Sequence, residues 1–288
     1  MANREHIRKL RLGIGAWNSW RLETKVEPDL SYAKLSGADL RRANLSKTDF
    51  SHAELRKADF THADLSFASF DKADLRSAKL MMADLTFARL RKARLGRANF
   101  LQANLNSADL SGADCTKTIL FRAEIINAVL AKANLNGADL GWTVFQDCYL
   151  NGAGFSRAVL FRSVFADCDM SGAIGLDTCV HEGPSTIDHR TLQQSGQLPL
   201  SFLRGVGLPD PLIDYLPSFL GSAIQFFSCF ISYSSVDQKF VERLHADLQN
   251  QSVRCWFAPH DLPIGGRIWD EIDSAIRLRE KVLLILSE

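Results

Sequence analysis

Few side chains in this 288-residue sequence could do chemistry, and the thiols come first. Six cysteines (Cys115, Cys148, Cys168, Cys179, Cys229 and Cys255) form no CxxC pair and have no His at zinc-ligand spacing. They signal neither a metal site nor a secreted disulfide framework, and they read as reduced, mostly buried thiols that call for no cofactor. Gly205 and Gly207 share part of the spacing of a phosphate loop, but no strand pattern precedes them and no Lys follows, so they read as turn glycines. The formal charge is +1, from 34 Lys plus Arg against 33 Asp plus Glu, so no global field of either sign draws in nucleic acid or imitates it. No stretch approaches the roughly 20 apolar residues of a bilayer span. The N-terminal MANREHIRKLRLGIGAW also lacks the apolar core of a signal peptide. A cytoplasmic protein without membrane or nucleic-acid partners is the expectation.

The elements that must position any site are set by an internal period. Every fifth residue from Leu30 to Met170 is Leu, Phe, Ile, Met or Cys, 29 positions without a slip. Two residues before each of the last 28 stands a small side chain: 22 Ala, three Thr (Thr48, Thr118, Thr143), two Cys (Cys148, Cys168) and Ser163. A period of five fits neither a continuous helix nor a continuous strand. The chain must turn once per repeat and keep one large and one small side chain inward, which describes a solenoid. Its inward positions hold almost no titratable groups, and His52 and His62 fall at turn positions, so it reads as a scaffold.

This pattern, Ala38-Asp39-Leu40 then Ala43-Asn44-Leu45 and many further copies, resembles the pentapeptide-repeat family. The resemblance implies a mainly β protein: a right-handed quadrilateral β-helix with four repeats per coil. Residues 20 apart then stack at roughly 4.8 Å, and the 141 residues from 30 to 170 give about seven coils. Cys148 and Cys168 are expected to stack as two thiols. The open ends need covers. Residues 1–28, with Ile7, Leu10, Leu12, Ile14, Trp17 and Trp20 among basic residues, read as an N-terminal capping helix; a basic amphipathic membrane helix is the alternative. Some members of the family are taken to mimic DNA, which needs an acidic surface. Asp39, Asp49, Asp59, Asp64, Asp74 and Asp84 do precede large residues, yet residues 30–170 carry 19 Lys plus Arg and 15 Asp plus Glu, a balance of 19 − 15 = +4. That argues against mimicry.

Just after the large position, one face reads Met81, Leu101, Phe121, Gly141 and Phe161, joined by Met82 and Trp142. An outward apolar stripe (Met81, Leu101, Phe121, Trp142, Phe161) marks a contact surface for another part of the chain or a second subunit, unless it is scattered surface of no consequence.

The register ends after Met170, and 177–224 reads as a helical bridge and C-terminal cap. Ser185 or Thr186 caps a short helix over 187–194 that Gly196 ends; Leu200–Arg204 forms another turn, and Pro209–Pro211 opens a third. From Gln225 the pattern becomes α/β. Strands are expected at Phe226–Tyr233, Val253–Phe257 and Lys281–Ser287, and helices at Asp237–Asn250 and Ile268–Leu278.

Residues 225–288 resemble the start of a Toll/interleukin-1 receptor (TIR) domain of the bacterial type. The resemblance rests on Phe230-Ile231-Ser232-Tyr233-Ser234-Ser235 with Asp237, on Cys255-Trp256-Phe257-Ala258-Pro259-His260-Asp261-Leu262 with Gly265, and on the strand ending in Leu286-Ser287. It implies the N-terminal part of a flavodoxin-like α/β domain with a cleft at the carboxyl ends of its strands. By resemblance, Tyr233, Ser234, Asp237, Trp256, Phe257, Asp261, Leu262 and Gly265 line that cleft, and NAD+ is a substrate cleaved at its nicotinamide–ribose bond. The family's catalytic glutamate follows a Trp by four residues in the helix after the third strand, a position expected beyond Glu288. Trp269 with Asp273 lies in the preceding helix and does not match.

The domain plan is thus a cap (1–28), the β-helix (29–176), the bridge (177–224) and an incomplete TIR domain (225–288). A signalling or defence protein is expected, with NAD+ hydrolysis implied for the complete protein and none for residues 1–288. The alternative is a non-enzymatic adaptor that assembles with protein partners, or with itself, through the solenoid and TIR surfaces.

Overall fold

The computed structural model describes residues 2–219, 228–233, 237–250, 254–256 and 281–285, in two compact units, Met1–Asp214 and Tyr215–Glu288. Every large residue of the five-residue period except Leu35 is buried. So is every small one except Ala38. Each repeat contributes a parallel bridge to the residue 20 positions on, from Asp29↔Asp49 to Gly154↔Ile174. Four repeats therefore make one coil, and each coil pairs with the next.

Three local devices turn the chain every five residues. The small residue donates its N–H to the preceding large residue's carbonyl, as Ala53 does to Phe50 at 3.0 Å, which closes a β-turn. The residue before it takes a left-handed φ, 59° at Phe67 and 61° at Arg97, the value a type II turn requires at its third position. Asp or Asn just before the large residue ties the turn from the other side. Asp49 Oδ1 accepts from Ser51 N at 2.8 Å, and Asp109 Oδ1 from Ser111 N at 2.9 Å. The acidic residues before the large position are therefore turn-formers.

The interior is packed along the axis. Phe50 and Phe70 stack at 5.0 Å with Phe60 edge-on at 5.9 Å, and Phe145 stacks on Phe165 at 5.2 Å. Thr143 Oγ1 and Ser163 Oγ donate inward to the coil before, to Leu120 O and Leu140 O, both at 2.8 Å, whereas Thr118 Oγ1 donates to Cys115 O of its own turn. Cys148 and Cys168 also reach the coil before, toward Ile125 O and Phe145 O, and are free buried thiols as expected. Thr48 Oγ1 is buried with no partner among the described residues.

The N-terminal cap is two helices, α1 (Arg4–Arg11) and α2 (Ile14–Glu23), where one was expected. Gly13 at φ 100° breaks them apart. Asn3 caps α1 through Oδ1, and its N–H donates to Asp29 O at 3.0 Å. His6 Nδ1 accepts from Asp29 N at 2.9 Å. From α2, Trp17 Nε1 donates to Asn44 O at 2.7 Å, Asn18 accepts from Asn44 N at 2.8 Å, and Arg21 donates to Ser46 O at 2.9 Å. These side chains replace a preceding coil.

At the other end the chain stays in the ladder longer than the sequence suggested. Strand segments β1 (Glu124–Ile126), β2 (Val144–Gln146), β3 (Val159–Leu160) and β4 (Val164–Ala166) lengthen the last bridges. After a single 3-10 turn (Leu176–Thr178), β5 (Val180–His181) pairs with β3 and β6 (Thr186–Ile187) with β4. The offsets grow from 20 to 21 (Val159↔Val180) and 22 (Val164↔Thr186), which is why the period disappears from the sequence. Because Thr186 and Ile187 are in a strand, the helix cap is Asp188, accepting from Thr191 N, and not Ser185 or Thr186. Helix α3 (His189–Ser195) then covers the last coil. Thr191 Oγ1 and Ser195 Oγ, one turn apart, accept from Cys168 N and Met170 N, both at 3.0 Å. Helix α4 (Leu200–Gly205) buries Phe202 6.2 Å from Phe165, and α5 (Asp210–Phe219) follows.

The second unit contains β7 (Ser228–Tyr233), α6 (Gln238–Asn250), β8 (Arg254–Trp256) and β9 (Lys281–Ile285). The strands form a parallel sheet in the order β8-β7-β9, with Phe230 paired to both Trp256 and Val282. The helix expected at 268–278 lies outside the described residues. Among the described residues no helix is long and apolar enough to cross a membrane.

Candidate functional site

Because β7, β8 and β9 run parallel, their carboxyl ends share one edge of the sheet, the edge where open α/β sheets take ligands. Tyr233 ends β7 opposite Ile285, and Trp256 ends β8. Asp237 stands one residue ahead of α6. Of the expected cleft residues, Tyr233 and Trp256 thus stand at strand ends on that edge. Ser234, Phe257, Asp261, Leu262 and Gly265 lie outside the described residues, as do Trp269 and Asp273. Tyr233 is half-buried, and burial together with Glu242 pushes its hydroxyl pKa up. Asp237 Oδ2 is buried with no hydrogen-bond partner among the described residues. A buried carboxylate oxygen without a donor is costly, and such an atom at a ligand edge is suited to accept from a bound hydroxyl.

The solenoid stripe forms a second candidate surface. Met81, Leu101, Phe121 and Phe161 are half-buried, and Trp142 is 36% exposed. Much of that cover is supplied by the column itself. A Cβ added at Gly141 would stand 2.9 Å from the Phe121 ring, and one at Gly183 2.8 Å from the Phe161 ring, so each Phe lies over a glycine of the following coil. The Arg162 guanidinium sits 4.9 Å and that of Arg122 5.8 Å from the Trp142 ring centre. Sequence reading missed another pair 20 apart, Phe67 and Phe87, whose rings stack at 4.9 Å while 54% and 51% exposed. The period that exposed the first column also carried this one. Replacing Gly141 by Ala is expected to push Phe121 outward and to cost about 1 kcal/mol by overpacking, read as a lower urea midpoint. An unchanged midpoint would show that the ring is not seated on Gly141.

Burial pushes the thiols of Cys115 and Cys179 up to about 12, and Cys148 together with burial raises that of Cys168. Such thiols are poor nucleophiles. No cluster of three or more His, Cys, Asp or Glu with metal-ligand geometry occurs among the described residues.

A coil of four five-residue repeats, stacked in parallel at an offset of 20, defines a pentapeptide-repeat solenoid. The family model for pentapeptide repeats matches in eight copies that together span residues 29–174, and the chain belongs to that family. A TIR-domain model matches residues 229–288, which makes this a repeat scaffold that carries a TIR domain. Among solved structures, the chain is similar to HetL, a pentapeptide-repeat protein involved in heterocyst differentiation regulation from the cyanobacterium Nostoc sp. strain PCC 7120. The identity is 30%, covering 59% of this chain and 87% of that one, with a TM-score of 0.28. A pentapeptide-repeat protein of the Arabidopsis thaliana thylakoid lumen is 34% identical, covering 38% of this chain and 65% of that one, with a TM-score of 0.28. QnrB1, a plasmid-mediated fluoroquinolone resistance protein, is 19% identical over 68% of this chain and 94% of its own, with a TM-score of 0.33. No curated protein matches.

Proposed function

We propose that the protein is a cytoplasmic signalling or defence factor in which the β-helix presents a TIR domain of α/β fold, and that the complete domain hydrolyses NAD+ to nicotinamide and an ADP-ribose product. The observation that carries this reading is the TIR match at 229–288, together with the Asp237 oxygen that has no partner among the described residues. In that reaction the bond between the nicotinamide nitrogen and the ribose breaks, and nicotinamide leaves with the electron pair. Positive charge develops on the sugar, and water adds to it with loss of a proton. A carboxylate near the ribose stabilises the oxocarbenium-like state. Tyr233, Trp256 and the loops after β7 and β8 would hold the nucleotide.

No residue up to Glu288 fits the family's glutamate, four residues after a Trp in the helix that follows the third strand. We therefore expect purified residues 1–288 to leave NAD+ unconsumed, measured by release of nicotinamide. Turnover that disappears in Asp273→Asn or Glu288→Gln would overturn the assignment of the catalytic carboxylate. The adaptor reading is favoured by the half-exposed aromatic column, which is suited to a protein contact in either case.

A further inference from the structure

One corner of the solenoid carries a basic groove. Over four successive coils it is lined by Arg56, Lys57, Arg76, Arg97 and Lys117, with no carboxylate among the lining residues, around a groove of about 460 Å³. At roughly 4.8 Å per coil the groove runs about 14 Å along the axis. Three carboxylates, Glu54, Asp74 and Asp114, share the column behind it, and Asp114 Oδ2 lies 3.9 Å from where a Cβ on Gly96 would stand. Asp74 is held by Arg56 at 2.7 Å, Arg76 at 2.7 Å and Arg94 at 3.5 Å. Asp114 accepts from the Thr116 hydroxyl and amide.

Lys57, Arg97 and Lys117 have no carboxylate partner among the described residues, although Arg97 and Lys117 occupy equivalent positions in adjacent coils, where like charges repel. In the adjoining corner Asp71 binds Arg91, while Lys72 and Lys92, the counterparts of Arg97 and Lys117, also have no carboxylate partner among the described residues. The groove also has a floor. Gly96 stands where the two preceding coils have Arg56 and Arg76, which leaves the hollow. Residue 94 is Arg, so the Asp or Asn that normally accepts the N–H two residues on is missing. The Gly96 N–H accordingly has no acceptor among the described residues. Unpaired cations, an unpaired backbone donor and a concave surface converge on one place, and an anion with several oxygens satisfies all three.

We propose that this groove binds the phosphate chain of a polyphosphate-bearing small ligand. The lining carries no aromatic ring, so recognition runs through the phosphates and not through a base. The site is independent of the NAD+ reading above.

The test is calorimetric titration of the full chain at low ionic strength with inorganic tripolyphosphate and, separately, with ATP. Saturable tripolyphosphate binding is expected. It should weaken by at least about tenfold in Arg97→Gln/Lys117→Gln and stay unchanged in Lys72→Gln/Lys132→Gln, which removes two cations from a different corner. Gly96→Leu fills the floor without altering charge. A Cβ there meets nothing closer than 3.7 Å, so this variant is expected to fold as wild type by circular dichroism and to lose binding. Equal binding of ATP would add nucleotides as a source of the phosphate chain, and silence with ATP would leave free polyphosphate as the source. Absence of saturable tripolyphosphate binding, equal weakening in both double variants, or binding of ATP alone would each overturn the proposal.

Discussion

Leu105→Asp is expected to abolish the cooperative melting of the β-helix, while Leu105→Met at the same site melts close to wild type. Leu105 is fully buried at the middle of the solenoid, and its N–H holds Glu124 O of the next coil at 2.8 Å. Its inward neighbours 20 residues away, Leu85 and Ile125, are equally buried. Removing the leucine alone costs about 2–5 kcal/mol. The carboxylate adds several kcal/mol more, through burial of its charge or through forced protonation. Against a total stability of roughly 5–15 kcal/mol the sum is decisive. A solenoid also contacts itself only between neighbours, so a failed central coil uncouples the coils on either side. Urea denaturation followed by circular dichroism should show a broadened transition at a far lower midpoint. A midpoint equal to that of Leu105→Met would mean that the fifth-residue positions do not point inward.

That inward assignment was legible because it is repeated: the same two side-chain classes recur at the same two places in every repeat, and burial follows them except at Leu35 and Ala38 in the first coil. The C-terminal strands were legible for a different reason. β7, β8 and β9 lie within the expected segments because short runs such as Cys229-Phe230-Ile231 and Val282-Leu283-Leu284 are β-type and bounded by polar residues. The two ends of the solenoid were not legible in detail. At the C-terminal end β5 and β6 are two residues long, and their offsets of 21 and 22 erase the period. The stabilising bonds of both ends run from side chains to backbone atoms more than 20 residues away, as from Thr191 to Cys168 N, which no local pattern announces.

The candidate sites divide along the same line. The aromatic column at Phe121, Trp142 and Phe161 could be read from spacing. Its self-covering by Gly141 and Gly183 could not, since a glycine in a turn gives no hint that a ring lies over it. The basic groove needed two facts that only stacking supplies: which corners align, and which acids are already paired. For the sheet edge, only the resemblance to the TIR family pointed to Tyr233, Asp237 and Trp256. That the Asp237 oxygen is buried without a partner among the described residues is a property of packing.

The N-terminal cap supports the second large expected effect. The first coil would otherwise present an open parallel edge, the kind of edge along which chains pair with one another. Trp17 closes it twice over: its ring is fully buried, and its Nε1 supplies the donor for Asn44 O that a preceding coil would have given. Asn18 and Arg21, one and four residues on, satisfy Asn44 N and Ser46 O from the same helix. Trp17→Ala therefore loses about 3–5 kcal/mol of packing and leaves a carbonyl unpaired. Because the cap acts on the first coil, fraying should begin there and leave the central coils intact. Two readouts follow: a melting temperature lowered by several degrees, and a concentration-dependent rise in mass by light scattering as uncovered edges pair. Trp17→Phe separates the causes, since it keeps most of the ring and removes the donor, so its mass should stay near wild type while its stability falls by about 1 kcal/mol. If Trp17→Ala melted with wild type and stayed the same size at all concentrations, the helices would be ornaments on the coil and not its cap.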